Sequence, residues 1–324
     1  MKAIIPAAGM GSRLRPHTHT APKTLLHVAG KPILGHIIDA LLAYDIREVV
    51  VIVGFLGDMI IDYISKNYNI KASFIEQKEP KGLGWAIYLA REHFIGDPVM
   101  ITLGDTIFDL DISDLLKAKY DTIGTKIVDD PRRFGIVETD GEYVTRLIEK
   151  PEVPISNQAL VGLYYIKSTE LFGRCLEELV AKNITTRGEF QLTDALGLML
   201  KHNCKITTFN VNGWFDCGKK DTLLATNRYL LSQIKTVDEY DDVIVIPPVY
   251  ISSTAKVRNS VIGPYVSVAD GAVIENSIIK DSIISSHAEV RQCLLETSLV
   301  GNNSSVIGVY KQLNLGDSSE IGYY

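Results

Sequence analysis

Lys2-Ala3-Ile4-Ile5-Pro6-Ala7-Ala8-Gly9-Met10-Gly11-Ser12-Arg13-Leu14-Arg15-Pro16, followed closely by Pro22-Lys23, decides how the rest of the chain is read. A short apolar strand runs into a loop of small residues. Its two glycines permit left-handed dihedrals and let backbone N–H groups approach a polyanion closely. Arg13 and Lys23 add full positive charges to that cradle. Better-known glycine loops do not fit. A Walker loop needs Gly, four residues, then Gly-Lys-Ser/Thr, and no Gly-Lys stands at that distance from Gly9 or Gly11. A dinucleotide fingerprint needs a third glycine, where Leu14 stands, and a helix opening inside the loop. Here Pro16 and Pro22 interrupt, and the first amphipathic run begins only near Pro32, with Ile33, Ile37, Ile38, Leu41 and Leu42 at helical spacing. The strand is followed by a long ordered loop that reads as a phosphate grip. A plain surface loop that merely contains glycines is the alternative, and two cations and two prolines argue against it.

Beyond the loop, short apolar strands are expected over 48–53, 72–75, 98–103, 122–128 and 160–166, with helical runs over 33–44, 58–68, 84–94 and 112–120. Such alternation predicts an α/β fold, a Rossmann-like, mostly parallel sheet with helices on both faces. In such sheets ligands sit at the carboxyl ends of strands, which is where the first loop lies. Shorter strands over 135–138 and 145–149, and helices over 170–182 and 190–202, follow. A helix over 221–233 then leads into an acidic linker, Asp238-Glu239-Tyr240-Asp241-Asp242.

From Val245 the texture changes. Ile251, Val257, Ile262, Val268, Ile274, Ile279, Ile284, Val290, Leu295, Val300 and Val306 recur every five or six positions. Units such as Asn276-Ser277-Ile278-Ile279 and Asp281-Ser282-Ile283-Ile284 repeat a polar-Ser-aliphatic-aliphatic pattern. This hexapeptide-like period predicts a short left-handed parallel β-helix with one aliphatic residue per face turned inward. An antiparallel β-sandwich would want alternation and tight-turn signals that are mostly missing. The division expected is a catalytic domain over 1–235 and a β-helix domain over 236–324.

The chain has 324 residues and a formal net charge of -6, so it makes no electrostatic case for nucleic acid or an anionic membrane as partner. Cys175, Cys204, Cys217 and Cys293 show no paired spacing, which implies neither a zinc site nor a disulfide framework. With no apolar run of membrane-spanning length and no cleavage-signal pattern, the expectation is a cytoplasmic protein. His17, His19, His27 and His36 cluster near the loop at spacings that match no zinc motif. Transfer at phosphorus needs charge neutralisation and positioning more than covalent help, and above all a divalent cation held by carboxylates. Asp105, at the end of an apolar strand, and Asp216, in Trp214-Phe215-Asp216-Cys217-Gly218, are the candidates for Mg²⁺. A strand-end aspartate taken alone is more often a helix cap or turn residue.

Gly9-x-Gly11-Ser12-Arg13-Leu14-x-Pro16 with Pro22-Lys23 resembles the signature of sugar-phosphate nucleotidyltransferases, in particular glucose-1-phosphate thymidylyl- and uridylyltransferases, over roughly the first 235 residues. Ala8 and Thr24 depart from the commoner residues of that signature. The resemblance implies a nucleotide-diphospho-sugar transferase type of fold. It also implies that the nucleotide is held by Ala7, Ala8, Gly9, Gly11, Ser12, Gln77 and Gly82, the last two reading a pyrimidine edge in favour of dTTP or UTP. Gly104-Asp105 and Trp214-x-Asp216-x-Gly218 match the family's metal-binding aspartates. Glu149-Lys150-Pro151 matches its sugar and sugar-phosphate residues, and Gly135 and Leu160 its sugar-lining strands. Arg187-Gly188-Glu189 offers Arg187 as a second phosphate ligand. By resemblance Arg13, Lys23, Asp105, Lys150 and Asp216 carry catalysis, on a nucleoside triphosphate and a hexose 1-phosphate. Three other readings stay open: a mannose-1-phosphate guanylyltransferase, a bifunctional amino-sugar acetyltransferase using the β-helix, and a non-catalytic regulatory paralogue. The β-helix is expected to serve a homo-oligomer or regulation.

Overall fold

The structure is a computed structural model and describes residues 1–234, 240 and 242–308. Most of the acidic linker and the expected boundary at 235/236 lie outside the described residues. Contacts divide the chain into two compact units, one of Met1–His27 and Lys31–Thr226, the other of Val28–Gly30 and Asn227–Tyr324.

After β1 (Lys2–Pro6) come three 3-10 turns, Ser12–Leu14, His17–His19 and Lys23–Leu25, and the two-residue strands β2 (His27–Val28) and β3 (Lys31–Pro32). There follow α1 (Ile33–Leu42), β4 (Glu48–Val53), α2 (Gly57–Asn67), β5 (Lys71–Glu76), α3 (Leu83–Leu89), β6 (Val99–Thr102), β7 (Thr106–Asp109) and the single turn α4 (Ser113–Leu116). The chain continues through β8 (Asp121–Ile127), β9 (Gly135–Asp140), β10 (Tyr143–Glu149), β11 (Gln158–Ile166), α5 (Thr169–Ala181), α6 (Leu192–Lys201), β12 (Ile206–Asn210), β13 (Gly213–Asp216) and α7 (Lys220–Ser232).

Nine strands of the first unit form one sheet in the order β5-β4-β1-β6-β11-β8-β12-β10-β9. β5, β4, β1 and β6 are parallel, with Ile4 opposite both Val50 and Ile101. β4 reads Glu-Val-Val-Val-Ile-Val with five of its six residues buried, the continuous run expected where both faces of a sheet are covered. β11 enters between β6 and β8 antiparallel to both, so the remaining half of the sheet is mixed. Phe94 and Phe172, both wholly buried, meet with ring centroids 5.5 Å apart in a core that takes in α3, α5 and α6.

The expected strands and helices are present with shifted ends, and the differences have physical reasons. The helical run over 112–120 is only α4, because Leu115 alone of that turn is buried. The run over 84–94 ends as α3 at Leu89 and resumes as a 3-10 turn, Arg91–His93. β2, β3, β7, β12 and β13 went unread. β7 and β13 are four-residue strands that pair antiparallel with each other, Thr106 opposite Asp216, and are too short to show a period.

Among the described residues the second unit carries three four-stranded parallel sheets, each built from every third strand, as a parallel β-helix requires. Ile262 stands over Ile279 and Ile279 over Leu295, so one coil takes 16 or 17 residues. Ile262, Val268, Ile274, Ile279, Ile284 and Val290 are fully buried, in line with the inward positions read from the period.

Candidate active site

The first loop is held at its start by Ala7, whose N–H donates to the Ile52 carbonyl at 2.8 Å, and within by Thr18, whose hydroxyl donates to the Gly11 carbonyl at 2.9 Å. Gly11 is left-handed (φ 61°), and a Cβ there would lie 2.9 Å from Thr18 Cγ2 and 3.0 Å from Lys23 Cβ. Both conformation and space therefore demand glycine. Gly9 has open space around it, leaving its backbone accessible.

The loop, the end of β5 and the start of α3 line a cleft of about 320 Å³. It brings together Ala7, Ala8, Gly9, Lys23, Gln77, Gly82 and Asp105, seven residues singled out from the sequence, with Met10, Leu83 and Glu189, which were not. Gly82 (φ 102°) opens α3, and a Cβ there would be 2.5 Å from the Phe190 carbonyl. The Gln77 amide donates to the Glu79 carbonyl at 3.1 Å. Ser12 and Arg13 are exposed and are not among the cleft's lining.

Lys23 Nζ is ion-paired with Asp105 Oδ2, and both side chains are largely buried. The β7–β13 pairing sets Asp105 beside Asp216, and the Cys217 N–H donates to the Asp105 carbonyl at 2.9 Å. Asp216 Oδ1 accepts the Gly218 N–H at 2.9 Å. A Cβ on Gly218 would stand 2.8 Å from both Asp216 Oδ1 and Arg13 Nη2, so glycine makes room for the Arg13 guanidinium beside the aspartate. Burial pushes the Cys217 thiol up to about 12, and the Asp105 and Asp216 charges push the same way, so this central cysteine stays protonated and is no nucleophile. Burial lowers the His17 pKa, and among the described residues no group of three or more His, Cys, Asp or Glu is placed to hold a metal by itself.

A second cluster gathers Gly135, Glu149, Lys150, Leu160 and Arg187. A Cβ at Gly135 would lie 2.8 Å from Leu160 Cδ1, 2.9 Å from Thr193 Oγ1 and 3.0 Å from Glu149 Oε2. Glu149 accepts the Thr193 hydroxyl at 2.7 Å and pairs with Lys150 at 3.0 Å. Lys150 and Arg187 are both left-handed (φ 42° and 55°), and Arg187 Nη2 donates to the Lys150 carbonyl at 2.8 Å. Strained non-glycine residues gathered at one place are typical of functional sites. Thr193 and Asp194, a few residues beyond Arg187, were given no role from the sequence. Asp194 accepts the Thr186 hydroxyl at 2.8 Å, and burial, reinforced by the Glu149 charge, raises its pKa. Burial first, then Glu149, also raises the pKa of Tyr164 in β11. Phe134, just before β9, meets Trp214 of β13 edge to face at 5.1 Å, which connects this cluster to the strand that ends in Asp216.

A model of the nucleotidyl transferase family matches residues 2–233, and one of the GlmU-like C-terminal hexapeptide matches residues 229–317. The chain is 32% identical to a glucose-1-phosphate thymidylyltransferase of Streptomyces griseus, with 98% of each chain covered. It is 33% identical to the UTP–glucose-1-phosphate uridylyltransferase AglF of Haloferax volcanii, over 66% of this chain and 89% of that one. The bifunctional protein GlmU of Methanocaldococcus jannaschii is 38% identical over 73% of this chain, but only 56% of its own length is covered. A Bacillus anthracis protein described as a glucose-1-phosphate thymidylyltransferase, solved with sucrose, is 28% identical with a TM-score of 0.63, over 74% of this chain and 98% of that one. A glycine loop lining the cleft, two neighbouring aspartates and a family match over most of the length agree: the chain belongs to the nucleotidyl transferase family and carries a left-handed β-helix of the hexapeptide type after it.

Proposed function

We propose that this nucleotidyltransferase joins a hexose 1-phosphate, glucose 1-phosphate first among them, to dTTP or UTP, giving an NDP-sugar and pyrophosphate. The observation that carries the reading is the cleft in which the glycine loop, Lys23, Asp105, Gln77 and Gly82 meet. The names of the thymidylyl- and uridylyltransferase relatives support the substrates. In this reading a phosphate oxygen of the sugar phosphate forms a bond to the α-phosphorus as the bond to the departing pyrophosphate breaks. Backbone N–H groups of Ala7, Ala8, Gly9, Gly11 and Ser12 cradle the triphosphate. Lys23 neutralises it and Arg13 stabilises the pyrophosphate. Gln77 and the backbone at Gly82 face the base. Glu149 takes sugar hydroxyls against the surface formed by Gly135 and Leu160, while Lys150 and Arg187 align the nucleophilic phosphate.

The donor set suits Mg²⁺: Asp105 and Asp216 are two hard oxygen ligands side by side, and that ion typically takes one or two carboxylates plus phosphate oxygens and water. Bound there, it would supply neutralisation of the charge that develops on the reacting phosphates. We extend the proposal to domains over 1–235 and 236–324, to a cytoplasmic setting consistent with four free cysteines, and to a homo-oligomer through the β-helix. No described helix is long and apolar enough to cross a membrane.

Pyrophosphate release with Mg²⁺ and glucose 1-phosphate, comparing dTTP, UTP, GTP, CTP and ATP, tests the reading. Release with dTTP or UTP is expected. Release with GTP or ATP alone would discard the roles of Gln77 and Gly82 and favour a guanylyltransferase-like enzyme. Silence with every nucleotide and sugar phosphate would favour a regulatory paralogue. Acetyl-CoA consumption with glucosamine 1-phosphate would add a second activity in the β-helix, a reading that the GlmU-like match keeps in view.

A further inference from the structure

Three consecutive residues of α7 reach three different places. Thr226, in the first unit, accepts the Cys217 thiol at 3.6 Å, next to Asp216. Arg228, in the second, forms a two-pronged pair with the buried Asp281. Between them Asn227 is wholly buried, and neither of its side-chain bonds serves its own helix. Its Oδ1 accepts the Ala29 N–H at 2.9 Å, and its Nδ2 donates to the Tyr265 carbonyl at 3.3 Å.

Ala29 belongs to Val28–Gly30, the short N-terminal segment that the contacts assign to the second unit. The segment is held in a conformation that it would not choose. Ala29 is left-handed (φ 45°), as is Gly30 (φ 96°). A Cβ on Gly30 would lie 2.7 Å from two atoms of the Tyr250 ring, so ring and backbone are in close contact. A left-handed alanine persists only where its surroundings over-determine it. Ala29 stands six residues after Lys23, just beyond the phosphate-gripping loop. The near end of that loop is tied by the Ala7–Ile52 bond, and between the two ends Gly9, Met10, Ser12, Arg13, Arg15 and Pro16 are exposed.

We propose that Asn227 is a positioning residue of the nucleotide site: by holding the Ala29 amide it clamps the far end of the glycine loop and pre-orders Lys23 for the triphosphate. The inference rests on the reading of residues 7–26 as the nucleotide loop. A loop fixed at both ends loses less entropy when it closes on a ligand, so the clamp acts on nucleotide affinity more than on the chemical step.

The test compares Asn227→Ala with Arg228→Ala, which breaks the neighbouring Asp281 pair and leaves Ala29 alone. Asn227→Ala should raise KM for dTTP or UTP about tenfold, the equivalent of one lost hydrogen bond, with kcat nearly unchanged. Arg228→Ala should lower Tm and leave KM as it is. An unchanged KM in Asn227→Ala, or an equal rise in both variants, overturns the proposal. Hydrogen exchange on the unaltered protein decides the case if Asn227→Ala does not fold. The Ala29 amide should be protected like the β-helix amides, and exchange as fast as at Gly9 would refute the clamp. A wild-type protein that releases no pyrophosphate strikes the parent reading instead, and dTTP and UTP affinities of the two variants, measured by calorimetry, still test the clamp.

Discussion

In the proposed mechanism Asp105 carries the most weight, because it is ion-paired with Lys23 and lies next to the strand that carries Asp216. Replacing it with Asn keeps the shape and removes the charge. Steady-state turnover of Asp105→Asn should fall by about a hundredfold or more, as should that of Arg13→Ala, since each removes charge complementarity built for the transition state. Near wild-type turnover in either would sink the role. Asp194 tells a different story. Its raised pKa means that the folded protein binds a proton more tightly than the unfolded chain does, so its contribution works against stability once the pH climbs above the ordinary aspartate range. Asp194→Asn, which keeps an acceptor for Thr186, should therefore melt higher than wild type at neutral pH. The gap should close as the pH falls towards 4, where an unfolded aspartate also binds its proton, about 3.9. A gap of the same size at both pH values would show that burial of charge is not the cause. The Arg187-Gly188-Glu189 segment before Asp194 was legible, but the burial of Asp194 was not: it depends on how the fold packs around the carboxyl, with Glu149 brought in from elsewhere in the chain.

At the scale of elements, the clearest match between pattern and structure is the β-helix coil. Its period of five or six residues placed Ile262, Ile279 and Ile284 inside, and all three are fully buried. Ile279 is covered above and below by the neighbouring coils, which cannot collapse onto a smaller side chain without breaking their own register. Ile279→Ala should cost about 2–5 kcal/mol in denaturant unfolding of the second unit. A loss under about 1 kcal/mol would mean that the stack relaxes freely. The β7–β13 ribbon is the counterexample. It joins the two candidate metal ligands, yet four residues on each strand carry too few side chains to reveal alternation, and the pairing spans a hundred residues of sequence.

For the whole molecule, one face of the β-helix is unlike the others. Ile244 lies over Val261, Val261 over Ile278, and Ile278 over Leu294, with Ile244, Ile278 and Leu294 turned out to solvent. Another face carries Lys256, Arg258, Glu275, Glu289 and Arg291 instead. A straight aliphatic ladder on a rigid sheet supports the proposed association of copies, because such a patch gains most by meeting its own kind. Leu294→Glu, 80% exposed in the single chain, should leave the fold intact and reduce the particle mass in light scattering. An unchanged mass would remove this face from the interface.

The sequence by itself determined the class of the protein: a glycine loop after the first strand, an α/β unit, a hexapeptide period behind it, and the pieces of a nucleotidyl transferase in order. These are local features, set by glycine dihedrals, by charges within one loop and by periodic apolar residues, all of which act over a few positions. Only the tertiary structure decided that Lys23 pairs with Asp105, that Gly218 makes room for Arg13, that Asp194 is buried beside Glu149, and that Asn227 reaches Ala29. Those contacts join residues far apart in the chain, and the energy that selects them comes from packing and desolvation of the whole fold, which no short stretch encodes.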